Sequence, residues 1–201
     1  MKNPIVASSL LLLVIFSLIF SSCNNDDDDP TPAAPLEATT FSDLKATGTG
    51  GHYTFFSLSE GDTVEVADSA TTKWDIAFKS TQIIFNSGVS GPGNSAASLQ
   101  TGLFDEITSV SDTITFKQDS QTELVLSSGK SWYNYNDETH IITPLPGKVI
   151  LIKTADGKYA KLEVISYYKG APASPTDYRT LTSRYYTFRY VYQPDGTKIL
   201  E

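Results

Sequence analysis

"KVILIKTADGKYAKLEVISYY", Lys148 to Tyr168, consists of two apolar runs around Asp156-Gly157. Neither run has the three- and four-residue spacing that gives a helix one apolar stripe. Both are rich in Val, Ile, Leu and Tyr, side chains that suit a pleated, half-buried surface. An Asp-Gly pair between two such runs is the strongest short-range hairpin signal. The stretch therefore predicts an antiparallel hairpin closed by a type I′ turn, with positive φ at both Asp156 and Gly157.

The same alternation recurs on either side. "HYTFFSLSEGDTVEV", His52 to Val66, reads as two strands around Glu60-Gly61-Asp62. "KWDIAFKS" sets Trp74, Ile76 and Phe78 on one face of a strand, and "TQIIFNS" follows as another. "DTITF" (112–116) and "TELVL" (122–126) read as further short strands. "SWYNY" sets Trp132 and Asn134 on one face, with Tyr133 and Tyr135 on the other. "RYYTFRYVYQPDG" aligns Tyr186, Phe188, Tyr190 and Tyr192 before a turn at Pro194-Asp195-Gly196. Two stretches read as loops: the Gly/Ser-rich Asn86–Ser98 and the long polar connection Tyr167–Arg184. Many short strands with regular turns and no helical period predict an all-β fold, a single domain of short antiparallel strands.

The N-terminus has a different character. Lys2 precedes an apolar run, Ile5 to Phe20, too short to span a bilayer comfortably and of the length of a secretory core segment. Ser21 and Ser22 then lead into Cys23, the only cysteine in the chain. That order resembles the lipobox of bacterial lipoproteins, in which the cysteine is lipidated. Four aspartates and Pro30, Pro32 and Pro35 follow, a composition that cannot bury a core. The expected organisation is a lipoprotein signal peptide over 1–22, a lipidated Cys23 with an acidic, Pro-rich tether over 23–40, and a β domain over 41–201. The acidic run resembles the surface-export signal of Bacteroidetes lipoproteins. It places the chain at the outer membrane by its lipid, at the cell surface, with a spacer facing the periplasm as the alternative.

Net charge is −8 over 201 residues, with the four aspartates Asp26 to Asp29 and Glu37 in the tether. No basic face is available for nucleic acid. Gly91, Gly93 and Ala96 satisfy G-x-G-x-x-A, but "SAASLQTG" is too short and polar for the helix a dinucleotide site needs, so the segment reads as a loop. Ser90 fails the nucleophile-elbow pattern because Pro92 follows Gly91. No cysteine or histidine pair has zinc spacing. The chain is expected not to be an enzyme. His52, at a strand start, reads as an edge residue. His140, in "YNYNDETHIITP", reads as a turn residue or as a ligand-binding group.

"KWDIAFK", "NSGVSGPGNSAA", "SWYNYN", "KVILIKTADGKYAKLEVISYY" and "YYTFRYVYQ" occur in that order. Together they resemble the HmuY-like lipoproteins of Bacteroidetes, across nearly all of the domain after the tether. The resemblance implies a sandwich-like all-β fold and a haem-binding, non-catalytic protein that passes haem to an outer-membrane receptor. It implies two axial ligands, histidine or methionine, one from the segment before the "SWYNY" strand and one just after it. The first segment here, Lys117–Lys130, has neither residue type, and the only methionine is Met1. The second contains His140, the one expected iron ligand, with Tyr133 and Tyr135 as further ligand-binding residues and Lys130 and Lys148 as partners for the propionates. The alternative is a surface lipoprotein that binds a glycan or another non-haem ligand through its aromatic side chains.

Overall fold

The computed structural model describes residues 35–126 and 132–201. The signal segment, Cys23 and most of the tether lie outside the described residues, as does Lys130. The strands are β1 (Thr39–Lys45), β2 (Thr54–Ser57), β3 (Asp62–Val64), β4 (Ile76–Lys79), β5 (Gln82–Phe85), β6 (Ala96–Thr101), β7 (Tyr133–Asn136), β8 (Ile141–Pro144), β9 (Lys148–Lys153), β10 (Tyr159–Tyr168) and β11 (Ser183–Gln193). The only helical elements among the described residues are short 3₁₀ turns. The fold is all-β, as the alternation predicts.

A five-stranded antiparallel sheet runs β1-β11-β10-β9-β6, and a four-stranded one runs β3-β2-β4-β5. Their facing sides form the main core. Phe56, Ile76, Phe78 and Phe85 from the smaller sheet meet Ile150, Leu162, Tyr186 and Phe188 from the larger. Phe188 stands edge-on to Phe56 at 5.2 Å and stacks on Phe78 at 5.4 Å. The predicted face of β11 is real: Tyr186, Phe188 and Tyr190 are core residues and Tyr192 packs against them.

β9 explains why its four central residues, Val149–Ile152, are all apolar. Ile150 and Ile152 enter the main core. Val149 and Leu151 enter a second cluster on the opposite face with Phe104, Val110, Val191 and Leu200. β7 and β8 form a separate hairpin, with Tyr135 opposite Ile142. It rests on β10, where the Ile142 amide donates to Tyr168 Oη at 2.9 Å.

Five local expectations are corrected. The β9–β10 turn is not type I′. Gly157 has φ of 84°, but Asp156 is not among the positive-φ residues. The Gly157 amide bonds Thr154 O at 3.0 Å and the Thr154 amide bonds Lys158 O at 2.9 Å. That is a three-residue loop with one left-handed glycine. "DTITF" and "TELVL" are not strands. Only isolated bridges form there, Ala97 with Lys117 and Ile83 with Leu126. The carboxylate of Asp119 between them accepts from Phe85 N at 2.8 Å and from Val125 N at 2.9 Å, taking a role that strand carbonyls would otherwise have.

Trp74 does not share a face with Ile76 and Phe78. It precedes β4, its carbonyl is taken by the Asn86 amide, and its ring packs with Phe55, Ala77 and Ile84 outside the small sheet. Trp132 likewise precedes β7, so Trp132 and Tyr133 both enter the main core, their rings 4.7 Å apart. Finally, the Gly/Ser loop ends at Ser95, since "AASLQT" pairs with β9 as β6.

Candidate functional site

The β7–β8 turn is shaped by its own side chains. Asn136 Oδ1 accepts from the amides of Glu138 and Thr139 at 2.9 and 2.8 Å, which tightens the turn. His140 closes it with φ of 55°, a left-handed conformation uncommon outside glycine. That bend sets the imidazole against β7, where Tyr135 Oη lies 2.6 Å from His140 Nδ1.

A second element meets this pair from the β10–β11 connection. Asp177 caps a 3₁₀ turn, Tyr178–Thr180, by accepting from the Arg179 amide at 3.0 Å. The Tyr178 ring stands nearly perpendicular to the imidazole at 5.2 Å. The Arg179 guanidinium lies 5.1 Å from the centre of the same ring and pairs with Asp177 at 3.6 Å. Tyr135 and Tyr178 are 45% and 41% exposed, which is unusual for rings packed in a group.

A cleft of about 470 Å³ lies between β8, β10 and the same connection; the ring group does not line it, but His140 and Tyr178 lie two and three residues in sequence from its lining residues Ile142 and Pro175. Its apolar lining includes Ile142, Pro144, Val164, Ile165, Pro172 and Pro175. The His140–Tyr178 contact ties the β7–β8 turn, which leads into β8, to the connection that supplies Pro172 and Pro175 to the cleft. Glu163 and Arg189 also line it, paired at 2.8 Å. A volume of this order is ordinary for a small-molecule site, which takes about 300–1,000 Å³.

The structure brings together two of the three expected site residues, Tyr135 and His140. Tyr133 belongs to the main core instead. Lys148 donates to Thr101 Oγ1 on β6 at 2.7 Å. Tyr178 and Arg179 were not singled out in the sequence. The available signal was an isolated tyrosine-arginine pair inside an otherwise small and polar connection. His52, the other histidine, precedes β2 and is exposed.

A model of the family described as HmuY protein matches residues 51–190. The chain belongs to the HmuY family. Solved structures share its fold at low sequence identity. A candidate HmuY-like heme binding protein of Bacteroides vulgatus ATCC 8482 is 20% identical, with 78% of this chain and 92% of that one covered and a TM-score of 0.51. The apo HmuY analog of Tannerella forsythia is 15% identical, covering 79% and 96%, with a TM-score of 0.52. A candidate lipoprotein of Bacteroides fragilis NCTC 9343 is 17% identical, covering 78% and 92%, with a TM-score of 0.50. No curated protein sequence matches the chain.

HmuY membership raises the question of haem directly. Haem iron takes axial side chains such as His, Met, Cys or Tyr. The sequence has two histidines and one methionine, the latter at position 1. Of the two histidines, His140 belongs to the ring group, and its Nδ1 is engaged by Tyr135. The residues present do not supply the ligand pair that the family resemblance implies.

Proposed function

We propose that this HmuY-family chain is a non-catalytic lipoprotein of the cell envelope that binds haem or a related tetrapyrrole for acquisition. Cys23 carries the lipid anchor at the outer membrane, and the acidic tether sets the domain off at the cell surface. The bound tetrapyrrole is passed to an outer-membrane receptor. The observation that carries this reading is an exposed ring group, Tyr135, His140 and Tyr178, on elements that lead into an apolar cleft in a chain of this family. Aromatic rings and an apolar slot suit a flat macrocycle by stacking and burial.

The test is a titration of the portion Pro35–Glu201, which contains all three core clusters, with ferric haem. The expected result is a saturable displacement of the Soret band from that of free haem. An undisplaced band at saturating haem rejects the reading. The two exposed tyrosines also favour a second reading, a glycan stacked on the same rings. Saturable retention on a glycan matrix without any Soret change would select it.

A further inference from the structure

The contact between Tyr135 and His140 allows a proton to be placed. The Oη to Nδ1 separation is 2.6 Å. Bonds donated by N–H to oxygen run from about 2.7 to 3.2 Å, and bonds donated by a hydroxyl to another oxygen from about 2.5 to 3.0 Å. The contact is shorter than the N–H range. Acid–base chemistry agrees. A phenol is a stronger donor than a neutral imidazole N–H, and an imidazole nitrogen is a better acceptor than a phenol oxygen. The favoured assignment has Tyr135 donating and Nδ1 accepting. In the neutral ring the proton then resides on Nε2, which leaves that nitrogen a donor with no lone pair for a metal.

We infer that His140 acts as a hydrogen-bond donor to a ligand carboxylate, so that the chain holds its tetrapyrrole by the carboxylates and ring faces rather than by the iron. The inference rests on the tetrapyrrole reading above and specifies how the same site works. Arg179 adds a cation to the group through its contact with Tyr178. Its partner Asp177 forms a solvent-exposed pair, which an incoming carboxylate can replace at little cost. Asp137 and Glu138, on the same turn as His140, are exposed and screened by solvent. A donor, a cation and a ring face are thus assembled from two loops that lead into an apolar cleft. An iron-binding role would instead require Nδ1–H to donate to Tyr135, the arrangement the short distance disfavours.

The test uses Pro35–Glu201 with three probes: ferric haem, metal-free protoporphyrin IX and its dimethyl ester. Metal-free porphyrin is expected to bind within about threefold of haem, and the ester about tenfold or more weaker, the range for losing a hydrogen bond to a charged group. His140→Gln, which keeps an N–H donor, is expected to retain binding that His140→Ala loses. Tyr135→Phe frees the imidazole and is expected to create a histidine-ligated haem spectrum absent from the wild type. Nitrogen chemical shifts of His140 in the ligand-free protein read the tautomer directly and are expected to show Nε2–H. Haem binding at least tenfold tighter than metal-free porphyrin overturns the inference, as does a Nδ1–H tautomer. Binding of neither porphyrin overturns the ligand class itself, and the nitrogen shifts still decide the tautomer.

Discussion

Asp75 reaches across the sandwich to Ala155: its Oδ1 accepts the Ala155 amide at 2.9 Å, linking the chain before β4 to the β9–β10 turn. Its Oδ2 accepts the Leu58 amide at 2.9 Å. One buried carboxylate thus satisfies two backbone donors from both sheets' loops. Asp75→Asn presents an NH₂ to one of these amides. It is expected to lower unfolding free energy by about 2–3 kcal/mol, the cost of leaving a buried polar group unpaired. Urea denaturation at neutral pH measures it, and a loss below 0.5 kcal/mol, an arbitrary floor of about the usual surface effect, counts against the clasp.

The same carboxylate has a pH signature. Burial pushes Asp75 above its ordinary value of 3.8, outweighing the two amide donors that favour the anion. The native state therefore holds this proton at a higher pH than the unfolded chain. The resulting contribution to stability is present below 3.8 and is lost as pH rises through the raised native value. The stability gap between wild type and Asp75→Asn should be wider near about pH 4 than at about pH 7. A gap that widens with rising pH reverses the sign and rejects the assignment.

Gly157 was legible in the sequence and its neighbour was not. Asp-Gly marked the hairpin correctly because a left-handed residue is needed there, and φ at Gly157 is 84°. The turn type escaped because Thr154 contributes its hydroxyl, which accepts the Lys158 amide at 2.8 Å, and this lengthens the loop by one residue. Trp74 and Trp132 were misplaced for a related reason. Alternation fixes a face only inside a pleat, and both residues stand just before a strand. His140 and Tyr135 were legible as chemistry. Their partner Tyr178 comes from 38 positions further along in sequence than His140, so only the fold joins them.

Gly157→Ala is expected to cost about 1 kcal/mol, because a Cβ at positive φ is strained even where space is open. Asp156→Ala should cost less, since Asp156 needs no left-handed backbone and loses only its bond from the Thr154 hydroxyl. Equal losses in thermal denaturation would return the turn to type I′.

Lys161 is a buried cation on the far side of β10. Its Nζ donates to Phe104 O at 3.0 Å and Ile107 O at 2.8 Å, and burial pushes its ammonium down. Lys161→Met keeps the stem but strands two carbonyls. A loss of about 2 kcal/mol is expected in urea denaturation, and an unchanged midpoint would mean that water replaces the ammonium.

The proposed anchor at Cys23 lies outside the described residues. Cys23→Ala in the full chain is expected to move the protein from the detergent phase to the aqueous phase, as the proposed lipidation requires. Equal partitioning of variant and wild type rejects lipidation at Cys23.

The glycine-rich loop owes its composition to Asn86. This fully buried amide donates to Thr71 O at 2.9 Å and Trp74 O at 2.7 Å, and accepts the Gly93 amide at 2.8 Å. The loop must pass close over it. A Cβ on Gly91 would stand 2.2 Å from Asn86 Oδ1 and 2.6 Å from the Trp74 ring. The G-x-G pattern is thus a packing requirement around an asparagine. Gly91→Ala is expected to cost about 2–3 kcal/mol through overpacking. Asn86→Ala should cost a similar amount by leaving the Thr71 and Trp74 carbonyls and the Gly93 amide without a partner. The two substitutions touch, so their effects should not add. Removing the Asn86 side chain relieves the closer of the two clashes, and the double variant should be more stable than the sum of the singles by about 1 kcal/mol. Strict additivity in a double-mutant cycle would mean that the loop shifts away from Asn86 instead of pressing on it.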